Sequence, residues 1–115
     1  MIKGRKNIKA EELEKSHGGV GKCAVRTLFQ KSDFQSDILY VREIILLPGS
    51  SISVHKHEGD DEIYYIAEGK GKMIVNDKEE EVSEGDTILT KSGSTHGLVN
   101  DIKSNLRFFV ICVKI

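Results

Sequence analysis

Cysteine is scarce in this chain, with two residues, Cys23 and Cys112, in 115. Both fall inside apolar alternating stretches and lack C-x-x-C spacing, which argues against a disulfide framework and leaves two buried, reduced thiols. Long hydrophobic runs are missing as well: the longest purely aliphatic one, residues 44–47, is far too short to span a bilayer. Neither sign of charge is in excess, since 17 Lys and Arg stand against 18 Asp and Glu. That balance gives no electrostatic case for nucleic acid or an anionic membrane as a partner. The first residues, Met1 to Lys9, are basic but have no apolar stretch of the kind a secretory signal needs, and they read as a solvated tail. A soluble, cytoplasmic protein is expected. No Gly-rich phosphate loop, Ser-His-Asp arrangement, nucleic-acid motif, linker, repeat or low-complexity segment is present.

A chain of 115 residues lies near the modal domain size and can bury one core without staples. Residues 10–15, Ala-Glu-Glu-Leu-Glu-Lys, predict one short helix, ended by the glycines of His17-Gly18-Gly19-Val20-Gly21. Everything after that predicts strands, over 23–29, 38–47, 52–55, 62–67, 71–76, 79–82, 86–90, 96–100 and 106–113. Asn76-Asp77-Lys78 is a hairpin signal, and Glu68-Gly69-Lys70-Gly71 is another turn. Many short strands at this spacing predict an all-β closed or double-sheet architecture. Periodicity alone leaves an immunoglobulin-like sandwich open. The expected division is residues 1–20 as tail and short helix and 21–115 as a single barrel.

Chemistry concentrates in the middle of the chain. Gly49, His55, His57, Glu62 and Gly69 stand at the spacing G-x5-H-x-H-x4-E-x6-G. Side chains alternate along a strand, so His55 and His57 project to one side about 7 Å apart, close enough for both imidazoles to converge on one ion. Glu62 adds a hard oxygen donor. The stretch from Gly85 to Asn100 reads G-x5-K-x-G-x2-H-x3-N and contributes His96, completing three histidines and one carboxylate. Asp60 and Asp61 are the nearest rivals to Glu62, although Glu62 alone begins the strand and keeps the x6-G spacing.

These paired motifs resemble the two signature motifs of the cupin family. One position departs from the pattern: Lys91 stands where the family has proline. The resemblance extends from about Gly18 onward and takes in His17-Gly18-Gly19 ahead of Arg26-Thr27-Leu28-Phe29, as in small bacterial cupins. It implies the jelly-roll barrel, a metal held by His55, His57, Glu62 and His96, and a homodimer. Apolar residues on both faces of the strands over 38–47 and 106–115 point to the same dimer.

Three neutral imidazoles and a carboxylate suit one divalent transition metal, Mn, Fe, Co or Ni, with Zn at lower coordination number. With no thiolate expected at the site, a soft copper centre is disfavoured. Period-two alternation places Tyr64 on the face of Glu62, either binding a metal-bound ligand or packing as wall. Arg26 and Arg42 sit mid-strand, where a charge needs a reason. Either one points inward to hold a carboxylate by a bidentate fork, or pairs at the surface with Glu43 or another acid.

Three functions are compatible with this set. The first is a metal-dependent cupin acting on or binding a small carboxylate or other bidentate molecule by dioxygenase- or decarboxylase-type chemistry. The others are a sugar or sugar-phosphate isomerase on the same barrel and a non-catalytic small-molecule binder.

Overall fold

The computed structural model describes residues 1–115 and contains ten strands and three single 3-10 turns, with no α-helix. The strands are β1 (Glu11–Glu14), β2 (Lys22–Gln30), β3 (Ile38–Leu46), β4 (Ser51–Lys56), β5 (Asp60–Glu68), β6 (Lys70–Val75), β7 (Lys78–Ser83), β8 (Thr87–Thr90), β9 (Thr95–Val99) and β10 (Leu106–Lys114). They form a six-stranded sheet in the order β1-β2-β3-β10-β5-β8 and a four-stranded sheet in the order β4-β9-β6-β7. All pairings are antiparallel. The two sheets face each other as the expected jelly roll.

Alternation decides which side chains enter the barrel. In β10, Leu106, Phe108, Val110 and Cys112 are buried, while the residues between them are only partly covered. In β5, Glu62, Tyr64 and Ile66 point inward, leaving Ile63 and Tyr65 exposed. With Leu46, Ile52, Met73, Val82 and Leu98 these residues form one contiguous core between the sheets. The outward face of the six-stranded sheet also carries apolar side chains, among them Val41, Ile45, Phe109 and Ile111, which is the double-sided pattern of strands β3 and β10.

Turn chemistry sets the register. Asn76 and Asp77 both adopt positive φ, 48° and 68°, and form the two-residue link between β6 and β7. Such a primed turn matches the twist of the strands that it joins. Gly69, at φ 93°, turns β5 into β6; a Cβ there would lie 2.5 Å from the carbonyl oxygen of Asn105. Only glycine fits that approach.

The helix expected over residues 10–15 is a strand instead. Ala, Glu, Leu and Lys favour helix, but so short a segment gains too few hydrogen bonds to offset nucleation. The open edge of β2 offers a ladder, and β1 takes it with Glu11 opposite Val25 and Glu14 opposite Lys22. Lys22 Nζ then lies 3.2 Å from Glu12. No helix in the molecule is long and apolar enough to cross a membrane.

Candidate metal centre

Pairing of β4 with β9 sets His55 directly opposite His96. His57 follows just after β4, and its backbone is fastened to the turn before β9: its N–H donates to Ser94 O at 3.0 Å, and its carbonyl accepts from Gly93 N–H at 2.7 Å. Glu62 arrives from the other sheet, on β5. The ring-nitrogen ligand atoms of His55, His57 and His96 all lie within 4.8 Å of one another. Nε2 of His96 is 2.9 Å from Nε2 of His57 and 3.2 Å from Nε2 of His55. Glu62 Oε1 is 3.3 Å from His57 Nε2 and 3.4 Å from His96 Nε2. The three histidines expected from the motifs therefore converge, and Glu62 stands against two of them, His57 and His96.

Outer contacts fix which nitrogen of each ring faces the centre. His55 Nδ1 lies 2.8 Å from the Ser53 carbonyl and His57 Nδ1 lies 2.9 Å from the Asp60 carboxylate. Both partners can only accept, so each Nδ1 carries the proton and each Nε2 turns a bare lone pair to the centre. His96 Nδ1 meets the Thr90 hydroxyl at 2.8 Å. Three imidazole nitrogens crowd one another with at most one proton among them. A cation fits that donor set, and neutral imidazoles are what it requires.

Electrostatics keeps the set ready. His96 is fully buried, and its pKa is pushed down to about 3 by burial and then by the other histidines. Glu62 is buried too, and its second oxygen accepts the Tyr40 hydroxyl at 2.6 Å. Burial, then that carboxylate, raises the Tyr40 pKa, so the phenol stays protonated as a donor.

Asp60 and Asp61 hold other posts than the ligand role for which they were rivals. Asp60 orients His57. Asp61 accepts the backbone N–H of Ser92 at 2.9 Å, while the Ser92 hydroxyl accepts the N–H of Gly59 at 2.9 Å. These bonds secure the turn before His96, where Lys91 replaces the family proline. Replacing Asp60 by alanine is expected to lower metal affinity roughly ten- to hundredfold, the usual effect of losing an outer partner of a ligating histidine. Chelator competition measures it, and unchanged affinity would reduce Asp60 to a surface contact.

The two arginines separate. Arg26 Nη1 donates to Glu43 Oε1 at 3.3 Å, on the outward side of the six-stranded sheet, where Arg5 and Arg107 also grip Glu43. Burial alone would raise the Glu43 pKa, but hydrogen bonds and charge from Arg5 and Arg107 hold it below the usual range. Arg26 is thus committed away from the histidines. Arg42 lies on the opposite face and lines a cavity of about 280 Å³ together with His55, His57, Glu62 and Tyr64. Its guanidinium stacks on the Tyr40 ring at 3.7 Å, and its buried Nε has no partner.

Tyr64 packs as wall, its ring 5.1 Å from His96 and 4.7 Å from Phe108. Burial, then Glu62, raises its pKa. Sequence separation hid two further wall residues. Cys23 lines the cavity as a buried thiol whose pKa burial raises, so no thiolate is offered. His17 stands at the same cavity with its ring stacked on His55.

A family model for the cupin domain matches residues 42–112. The oxalate-binding protein of Thermotoga maritima is 32% identical over 113 residues, covering 98% of this chain and 93% of that protein. Among solved structures, a predicted oxalate decarboxylase from Thermotoga maritima is similar at TM-score 0.96 and 31% identity over 100% of both chains. A polyketide cyclase from Streptomyces resistomycificus is similar at TM-score 0.80 and 29% identity, over 98% of this chain and 80% of that one.

Proposed function

The chain belongs to the cupin family, and on that premise we propose that it holds one divalent transition metal on His55, His57, His96 and Glu62 and binds a small carboxylate beside it, with decarboxylase- or dioxygenase-type turnover. The observation that carries the ligand class is Arg42, a guanidinium in the wall of the metal-side cavity whose Nε is buried without a partner. Arg26 Nε is unpartnered too, but that guanidinium is paired with Glu43. Arg42 is half-buried, and a cation so placed beside the cavity favours an anionic ligand. The similarity to an oxalate-binding protein supports the same class.

A divalent ion bound here supplies Lewis acidity and a template for oxygen donors. The chain's own residues do the rest. Arg42, held flat by the Tyr40 ring, offers planar N–H donors to a carboxylate. Tyr40 also donates to Glu62, so one side chain steadies both the anion-binding group and the carboxylate of the metal set. Val25, Ile44, Ile52 and Val110 line the inner part of the cavity with apolar surface, which strengthens the charged contacts beside it, while Leu13 stands exposed at its rim. A cavity of about 280 Å³ has room for a small organic molecule beside the metal set.

Oxalate and 2-oxoglutarate, titrated into the Mn-loaded protein, are expected to raise its melting temperature and perturb the Mn paramagnetic resonance signal. Arg42→Ala should weaken that binding about ten- to hundredfold, the worth of a charge-assisted hydrogen bond. Glucose and mannose 6-phosphate serve as the comparison. A response to the sugars with none to the carboxylates would overturn the ligand class in favour of the isomerase reading.

A further inference from the structure

The chain has four histidines, and all four gather at one place. His17 is the one outside the metal set. Its ring lies parallel to that of His55, with centroids 3.7 Å apart and planes 8° from parallel. A face-to-face stack occupies the faces of the imidazole and not its edges. Both ring nitrogens of His17 therefore stay available, at a residue that lines the cavity beside Arg42, Ser16 and His55.

The backbone that holds this ring is unusual. His17 has φ 51° and ψ 34°, and Lys15 has φ 52° and ψ 48°, both in the left-handed region that disfavours any residue with a Cβ. The turn is nevertheless fastened at several points. Lys15 N–H donates to Gly21 O at 2.8 Å, Ser51 N–H donates to Val20 O at 2.8 Å, and Val20 N–H donates to the Ser51 hydroxyl at 3.0 Å. Gly19 sits so tightly that a Cβ would come 2.1 Å from Ser51 O. The turn is thereby locked to the first residue of β4, the strand that carries His55. Non-glycine residues kept in such conformations cluster at ligand-binding sites, where the surrounding structure holds them.

We infer that His17 is a specificity-determining residue: from the outer end of the cavity it hydrogen-bonds the far oxygen of a ligand whose near carboxylate sits by the metal set and Arg42. Because a neutral imidazole carries one donor and one acceptor, it selects molecules with a second polar end over simple monocarboxylates. This rests on the carboxylate reading above. A dicarboxylate or 2-oxo acid spans the two contacts; formate does not.

The test compares oxalate with formate by calorimetry on the Mn-loaded protein, in wild type, His17→Phe and His17→Gly. Phenylalanine keeps a ring against His55 but removes both nitrogens, and glycine suits the left-handed backbone, so at least one variant reports on a folded protein. Oxalate affinity is expected to fall about tenfold or more in both variants, with formate affinity and Mn content unchanged. Oxalate binding equal to wild type in either folded variant would overturn the inference. So would an equal fall for both ligands accompanied by loss of Mn, which would make His17 a prop for His55. Wild-type protein that binds neither oxalate nor 2-oxoglutarate would instead overturn the carboxylate reading, and this inference with it.

Discussion

Replacing His96 by alanine is expected to lower metal affinity by more than about a hundredfold, beyond the range for loss of an outer-shell partner. His96 is the most enclosed of the three imidazoles, and its Nε2 lies closest to both others. Without metal the substitution relieves the crowding of the ring nitrogens but removes the ring's packing on Tyr64 and its bond to the Thr90 hydroxyl, so the apo protein also loses some stability. The signature is a split: whatever the apo variant loses, the further stabilisation that metal gives to wild type disappears. Thermal melts with and without Mn, beside chelator competition, measure both. Wild-type affinity in His96→Ala would mean that the convergence of the histidines serves packing alone.

The second large effect is on stability. Phe108 is fully buried on β10, the strand paired on both sides with β3 and β5, and its ring packs 4.7 Å from that of Tyr64. Truncation to alanine is expected to cost about 3–5 kcal/mol, combining lost transfer energy with an unfilled cavity. Tyr64 in turn packs on His96, so the vacated space also loosens the wall behind the metal set. Urea denaturation gives the first effect and metal titration the second. A loss below about 1 kcal/mol would show that the core closes readily over the gap.

Nine of the ten strands and the three converging histidines with Glu62 beside them were legible in the sequence, because both depend on local signals: period-two alternation, turn residues and the spacing of His and Glu. Legibility ended where pairing with a distant strand decides the outcome. The segment Glu11–Glu14 has helix-forming composition and becomes a strand because the edge of β2 is open beside it. The choice between Arg26 and Arg42 is also a matter of register. Arg26 stands opposite Glu43 across β2 and β3. Residues directly opposite share a face, so Arg26 goes outward with Glu43, and Arg42, one residue before Glu43, turns inward. Asp60 as the orienter of His57, Tyr40 as the donor to Glu62, and His17 against His55 are likewise contacts that chain spacing does not encode. The only sequence signal at His17 was the His17-Gly18-Gly19 stretch, which marked a turn and a likeness to small cupins but not a contact with His55.

Metal stoichiometry tests the central claim most directly. Elemental analysis of the purified protein, after incubation with Mn, Fe, Co, Ni and Zn salts and removal of excess ion, is expected to give about one divalent ion per chain, the number that one mononuclear site holds. The same procedure should give a large deficit in His55→Ala and His57→Ala. A wild-type chain that stays metal-free with all five ions, while folded, would contradict the account at its base.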